Sequence, residues 1–148
     1  VAHEIESTDG LVLHQRRAWH GLGTIVQDAP TPTEALKIAK LDWTVEQWEI
    51  TASNGVVAMP CPAHRLNVRA DTRKPLGMVS TGYEPIQNAD LAEFCHLLAE
   101  HGDVVKVESA GSIRGGAKVW FLLKGESFSV RASGADEIVP YILVSNGH

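Results

Sequence analysis

Residues 17–26 read RAWHGLGTIV and place a Trp, a His, two glycines and a Thr within six positions. Glycines so spaced raise phosphate binding as the first chemistry to consider. A P-loop, however, needs GxxxxGK[ST], and a dinucleotide fold needs GxGxxG opening a helix. Here Gly21-Leu22-Gly23 runs into Thr-Ile-Val, a strand-like sequence. The stretch therefore reads as a turn in which Trp19 plugs the core, because a buried Trp removes a large apolar area from water. The functional alternative is a loop whose glycines let the backbone approach a ligand touched by Trp19 and His20.

Other chemistries find less support. Seven histidines are scattered along the chain without HxH or HExxH spacing, and the two cysteines, Cys61 and Cys95, lie in no CxxC pair. A metal centre is therefore not expected, and both cysteines read as buried thiols of a reducing compartment. No GxSxG elbow is present. Cys95 and His96 are neighbours, but adjacent residues of a helix point about 100° apart, so they do not make a nucleophile–base pair. The expectation is a noncatalytic protein with no catalytic residue, no metal and no cofactor.

One cluster does suggest a partner. Arg65 and Arg69 share a strand, and Arg73 and Lys74 follow in the next turn. At period two, Arg65, Asn67 and Arg69 fall on one face and Leu66 and Val68 on the other. That pattern predicts a wet, positive sheet face able to track a phosphate backbone, with Trp48 or Tyr83 offering a surface for base stacking. Arg16-Arg17 and the RGGAK tip at 114–118 extend it. An ordinary solvated strand face is the competing reading.

The rest of the chain must hold these groups in place. It has 148 residues, 44% hydrophobic and 21% charged, within the globular range. A chain this long forms one core and buries roughly 70% of its unfolded surface. The formal charge of −5 argues against nucleic-acid binding by overall charge alone. Apolar runs such as VWFLL at 119–123 are too short to span a membrane, and polar residues interrupt the opening segment where a signal peptide would need an apolar run. A soluble cytoplasmic protein without a membrane partner is expected.

TPTEALKIAKL at 31–41 begins with Thr31, Pro32 and Glu34, the marks of a capped helix start. LDWTVEQWEI then alternates, with Thr44, Glu46, Trp48 and Ile50 on one face and Val45, Gln47 and Glu49 on the other, before a Ser53-Asn54-Gly55 hairpin turn. VVAM (56–59), HRLNVRA (64–70) and LGMVSTGY (76–83) read as three further strands, divided by Pro60-Cys61-Pro62 and by the DTRKP turn, making a four-stranded meander. Asn88 is placed to cap a helix running to about Glu100, with Leu91, Phe94, Cys95 and Leu98 as its apolar stripe and Gly102 as its stop. VVKVESA, KVWFLLKG, SFSVRAS and VPYILVS complete the chain as strands, and Asn146-Gly147 reads as a turn leading onward. The class is α+β, a mostly antiparallel sheet covered by one or two helices, in a single domain over 1–148 that forms the N-terminal part of a longer protein.

AHEIE at the start, AWHGLGT at 18–24, LDW at 41–43, LGMVSTGYEPIQN at 76–88, ESAGSIRGGAKVW at 108–120 and the final PYILVSNGH together resemble the phage/plasmid-like proteins of unknown function called the LGT family. The resemblance runs in order over nearly the whole chain and implies a protein of mobile elements. The α-βββ-α order also resembles the core of phage single-strand annealing proteins of the Red-beta and Rad-fifty-two type. That second resemblance implies a homo-oligomer binding single-stranded DNA in recombination, through Arg65, Arg69, Arg73 and Lys74 as phosphate contacts and Tyr83 or Trp48 as stacking surfaces. A noncatalytic structural or self-assembly domain that uses exposed strand edges is the alternative.

Overall fold

The computed structural model describes residues 10–15, 22–101, 104–130 and 136–148. The Trp19 turn, His20, Arg16-Arg17 and the Gly102 stop lie outside these residues. The fold is α+β, as expected, with largely antiparallel sheets and two helices.

A five-stranded sheet forms the body. Its spatial order is β10-β7-β6-β1-β2, where β1 is Leu11–His14, β2 Thr24–Val26, β6 Val104–Ile113, β7 Lys118–Gly125 and β10 Tyr141–Gly147. All pairs are antiparallel except β1 and β2, whose parallel pairing sequence patterning did not anticipate. Strand β7 shows why one face is covered: Val119, Phe121 and Leu123 are buried at every second position. Helices α1 (Pro32–Ile38) and α2 (Asn88–His101) supply the opposing layer through Ala35, Leu36, Leu91, Ala92 and Cys95. Burying Phe121 alone contributes roughly 3 kcal/mol. Among the described residues, no helix is long and apolar enough to cross a membrane.

Helix α1 starts as its sequence predicts. The Thr31 side chain accepts from the Glu34 amide at 3.3 Å, and the Glu34 carboxylate accepts from the Thr31 amide at 2.8 Å, a reciprocal capping box. The Thr31 amide and the Thr31 hydroxyl, both donating to the Glu34 carboxylate, hold that carboxyl below its ordinary pKa. Helix α2 differs. Asn88 does not cap it; the Asp90 carboxylate accepts from the Gln87 amide at 3.0 Å, and the Asn88 side chain turns into the core. Phe94 is 51% exposed, so the buried stripe is Leu91, Ala92 and Cys95, with Leu98 partly covered.

Between the helices, β3 (Val45–Ser53), β4 (Ala58–Arg69) and β5 (Lys74–Ser80) form a separate three-stranded meander. The expected four strands are three. Val56 and Val57 lie in the hairpin loop, where the Asn54 side-chain Oδ1 accepts from both of their amides, and β4 runs through Pro60-Cys61-Pro62 without ending. The prolines act on pairing instead. The register jumps from Glu49↔Arg65 to Thr51↔Pro60, leaving residues 61–64 of β4 as a bulge opposite β3. At the far end of the chain, Asn146 and Gly147 pair with Val119 and Lys118 as the last residues of β10 rather than turning. SFSVRAS contributes only Phe128–Ser129, which pairs with Glu137–Ile138 in a two-stranded ribbon of β8 and β9; residues 131–133 of that run lie outside the described residues.

Candidate nucleic-acid interface

Strand register decides which of the sequence-predicted residues share a surface. Trp48, Leu66 and Met78 pair in one row across the meander, and Gln47, Asn67 and Gly77 in the next. Alternate rows face opposite sides of a sheet. Trp48 therefore sits on one face with Leu66 and Met78, while Arg65, Asn67 and Arg69 sit on the other. The six residues do not form one wet, positive face.

The arginine face is the one that docks on the body. Asn67 is fully buried, its Oδ1 accepting from Gln47 Nε2 at 3.2 Å, and a methyl group placed on Gly77 would meet the His148 carbonyl oxygen at 2.7 Å. Val68, on the opposite face, is buried as well, so the expected outer face is covered at this level on both sides. Arg69 is committed to structure. Its guanidinium lies 4.6 Å from the centroid of the Trp43 ring and makes a two-pronged ion pair with Asp71 at 2.8 and 3.0 Å. That pairing holds the Asp71 carboxyl below the usual carboxylate range.

The other candidates vary in availability. Arg65 is half-buried, 3.9 Å from Glu49 and donating to the His64 carbonyl. Tyr83 donates its hydroxyl to the Gly147 carbonyl at 3.0 Å, tying the segment after β5 to β10. Trp48 is 42% exposed, with its indole N–H donated to Glu46 at 2.9 Å, so its ring face offers a stacking surface. Arg73 and Lys74 are exposed at the β4–β5 turn, and Lys74 pairs with Arg69 on the arginine face.

The tertiary structure adds a cation, Arg114, to this turn. Residues 114–116 make a short 3-10 turn between β6 and β7, with positive φ at Arg114 (54°), Gly115 (73°) and Gly116 (99°). Absence of side chains at the two glycines lets the turn press against the meander. A methyl group on Gly115 would collide with the Lys74 ammonium, and one on Gly116 would lie 2.7 Å from Trp43 Cζ2 and 3.6 Å from Arg69 Cδ. Arg114, exposed, precedes this contact in the turn, whereas Lys118 lies in β7 on the sheet face opposite Val119, Phe121 and Leu123. The turn thus brings Arg114 to the end of the meander that carries Arg73, Lys74 and Asp71. Residues 45–80 carry four Lys and Arg against three Asp and Glu, a local excess of positive charge in a chain whose total is −5.

Beneath the cations lies a buried polar cluster that sequence reading missed. Asn88 Nδ2 donates to the carbonyls of Leu41 and Trp43 at 2.9 and 3.3 Å, so its Oδ1 must be the acceptor. His148 Nε2, 3.0 Å from that oxygen, therefore carries the proton, and Nδ1 is the bare nitrogen. The His148 ring meets Trp43 edge-on at 5.5 Å. Trp43 Nε1, Asn67 Nδ2 and His148 Nδ1 are buried without a hydrogen-bond partner. The segments that carry the family resemblance, around 41–43, 76–88, 114–120 and 145–148, meet here; only that convergence in the primary sequence hinted at the cluster.

Burial pushes the His148 pKa below its ordinary 6.5, because a second proton would sit on the unpartnered Nδ1. The unfolded chain then binds the proton more readily than the folded one. Stability is fully present above about pH 6.5 and falls as pH drops below it, until the folded-state pKa is passed. Urea denaturation midpoints between pH 8 and 5 should fall on the acid side, and His148→Gln should flatten that slope. A slope unchanged in the variant would assign the acid sensitivity elsewhere.

The remaining reactive groups are apart. Cys95 is fully buried and its thiol is pushed up to about 11 by desolvation, whereas His96 faces outward, 3.2 Å from Glu100. Cys61 is a free, half-buried thiol at the β4 bulge rather than a core residue. Among the described residues, no three His, Cys, Asp or Glu side chains converge as metal ligands.

Comparison with known proteins adds one match. The family model described as a domain of unknown function, DUF932, matches residues 75–148, from the start of β5 through β10. No curated protein and no solved structure matches the chain. The matched half contains Gly77, Tyr83, Asn88, the glycine turn and His148, which are the groups that close the polar cluster and bring Arg114 to the meander. An uncharacterised family is also what the sequence resemblance implies, and the chain belongs to the DUF932 family of domains of unknown function.

Proposed function

We propose that this chain is a noncatalytic nucleic-acid-binding protein that grips phosphates at the end of the β3–β4–β5 meander. The observation that supports this reading is the meeting of two turns, which sets Lys74 against Gly115 and so brings Arg73 and Lys74 of one turn beside Arg114 of the other. Arg69, held by Asp71 and Trp43, shapes the site rather than reaching into solvent. Tyr83 serves as a tether and leaves the stacking role to Trp48. Because the cations and Trp48 lie around an edge from one another, a flexible strand reaches both and a rigid duplex does not, which favours single-stranded DNA. The α1-β3-β4-β5-α2 order is the order that the annealing-protein resemblance implies, and it supports a role in recombination.

Fluorescence anisotropy with labelled oligonucleotides across a salt series tests this. Engagement of about three phosphates gives a log–log salt slope near −2 for a single strand. Arg73→Glu and Arg114→Glu should each weaken binding roughly 3- to 10-fold, equally for all sequences, and make the slope shallower. Trp48→Ala should weaken single-strand binding and spare duplex. Absence of binding at low salt, or indifference to both charge reversals, would remove the assignment. The second reading, a self-assembly domain, is favoured by the exposed far end of the same meander.

A further inference from the structure

The β3–β4 ribbon continues past the third strand. β5 pairs with β4 only over His64–Arg69, so residues 50–63 form a two-stranded tip with no neighbouring strand among the described residues. That run, ITASNGVVAMPCPA, holds no Asp, Glu, Lys, Arg or His, where 14 residues of a chain 21% charged would carry about three charges. Its large apolar side chains point outward: Val56 is 91% exposed, Val57 61% and Met59 61%. A shallow apolar concavity of about 540 Å³, lined by Ala52, Ser53, Asn54, Val57 and Met59, lies next to Val56.

We infer that this tip is a homotypic interface, where two copies of the chain pack about a two-fold axis with Val56 of each seated in the concavity of the other. A projecting side chain and a receiving hollow on one tip are what an isologous contact requires, since the same patch must serve both partners. The uncharged surface matches itself and offers nothing to a phosphate or a charged peptide. Pro60 and Pro62 remove two amide donors from the tip's β4 strand, which disfavours strand addition along that edge. The tip lies roughly 26 Å from Arg69, the eight steps of β3 between its paired ends at about 3.3 Å per residue, so a tip-to-tip dimer leaves both cation clusters open. A contact confined to the tip is smaller than the roughly 800 Å² per partner of a standard interface, and a micromolar dissociation constant is expected.

Sedimentation velocity on the full chain from 1 to 200 µM tests the inference. A monomer–dimer equilibrium is expected, with Val56→Asp and Met59→Glu each raising the dissociation constant at least 30-fold and Arg73→Glu leaving it unchanged. Both tip positions are exposed, so the variants keep the fold, checked by circular dichroism. A chain monomeric at 200 µM, a dimer indifferent to both tip substitutions, or assemblies that keep growing with concentration would each overturn it. Oligonucleotide binding is read on other variants, so the dimer and the phosphate site stand or fall separately.

Discussion

Asn88→Ala should lower unfolding free energy by about 3 kcal/mol, because three buried hydrogen bonds each contribute about 1 kcal/mol and their partners stay buried. The carbonyls of Leu41 and Trp43 and the Nε2–H of His148 all lose their partner, with Asn88 itself 0% exposed. Against a typical total of about 5–15 kcal/mol, that is a large fraction. Asp90→Ala is the comparison. Its carboxylate caps α2 through the Gln87 amide, and losing a cap costs about 1 kcal/mol. Urea denaturation of both variants separates the roles: equal losses would mean that Asn88 acts as no more than a helix-end residue, and a threefold difference would mean that it clamps the α1–β3 connection to β10.

Gly116→Ala should be the second severe change, costing about 3 kcal/mol, whereas Gly115→Ala next door costs about 1 kcal/mol. At Gly116 the backbone has φ of 99°, and the new methyl meets the rigid Trp43 ring at 2.7 Å. Trp43 cannot yield, because Arg69 covers its face and His148 meets its edge. At Gly115 the φ of 73° is nearer the left-handed region that side chains tolerate, and the obstacle is the flexible end of Lys74. Gly115→Ala should therefore fold well but displace Lys74 and weaken oligonucleotide binding a few-fold, while Gly116→Ala shifts the urea midpoint. Matching stability losses in the two variants would show that the turn's tight contact with Trp43 does not matter.

Local signals in the chain were legible where their physics is local. Thr31, Pro32 and Glu34 predict the start of α1 because a capping box is closed within four residues. Ser53-Asn54-Gly55 predicts the hairpin because Asn54 satisfies the loop's own amides. Alternation predicts the faces of β3, with Trp48 opposite to Gln47. Asn88 illustrates the limit. Asn at a helix start has a local use as a cap and a distant use as a core bracket, and only the positions of Leu41, Trp43 and His148, 47, 45 and 60 residues away, decide between them. The prolines at 60 and 62 likewise signal a missing ladder hydrogen bond, which a chain can meet by ending a strand or by bulging within one.

The primary structure by itself determined the class, the two helices, the meander and the run of cations at 65–74, because periodicity and turn chemistry are properties of neighbouring residues. Tertiary structure decided which of those cations stay exposed and which are committed to contacts. Pairing register put Arg65 and Arg69 on the face away from Trp48, docking on the body turned Arg69 into a clamp on Trp43 and Asp71, and the Gly115 contact brought the turn that carries Arg114 to Lys74. The reason is that a charged side chain's role depends on which opposite charges, ring faces and solvent it meets, and those come from segments far along the chain.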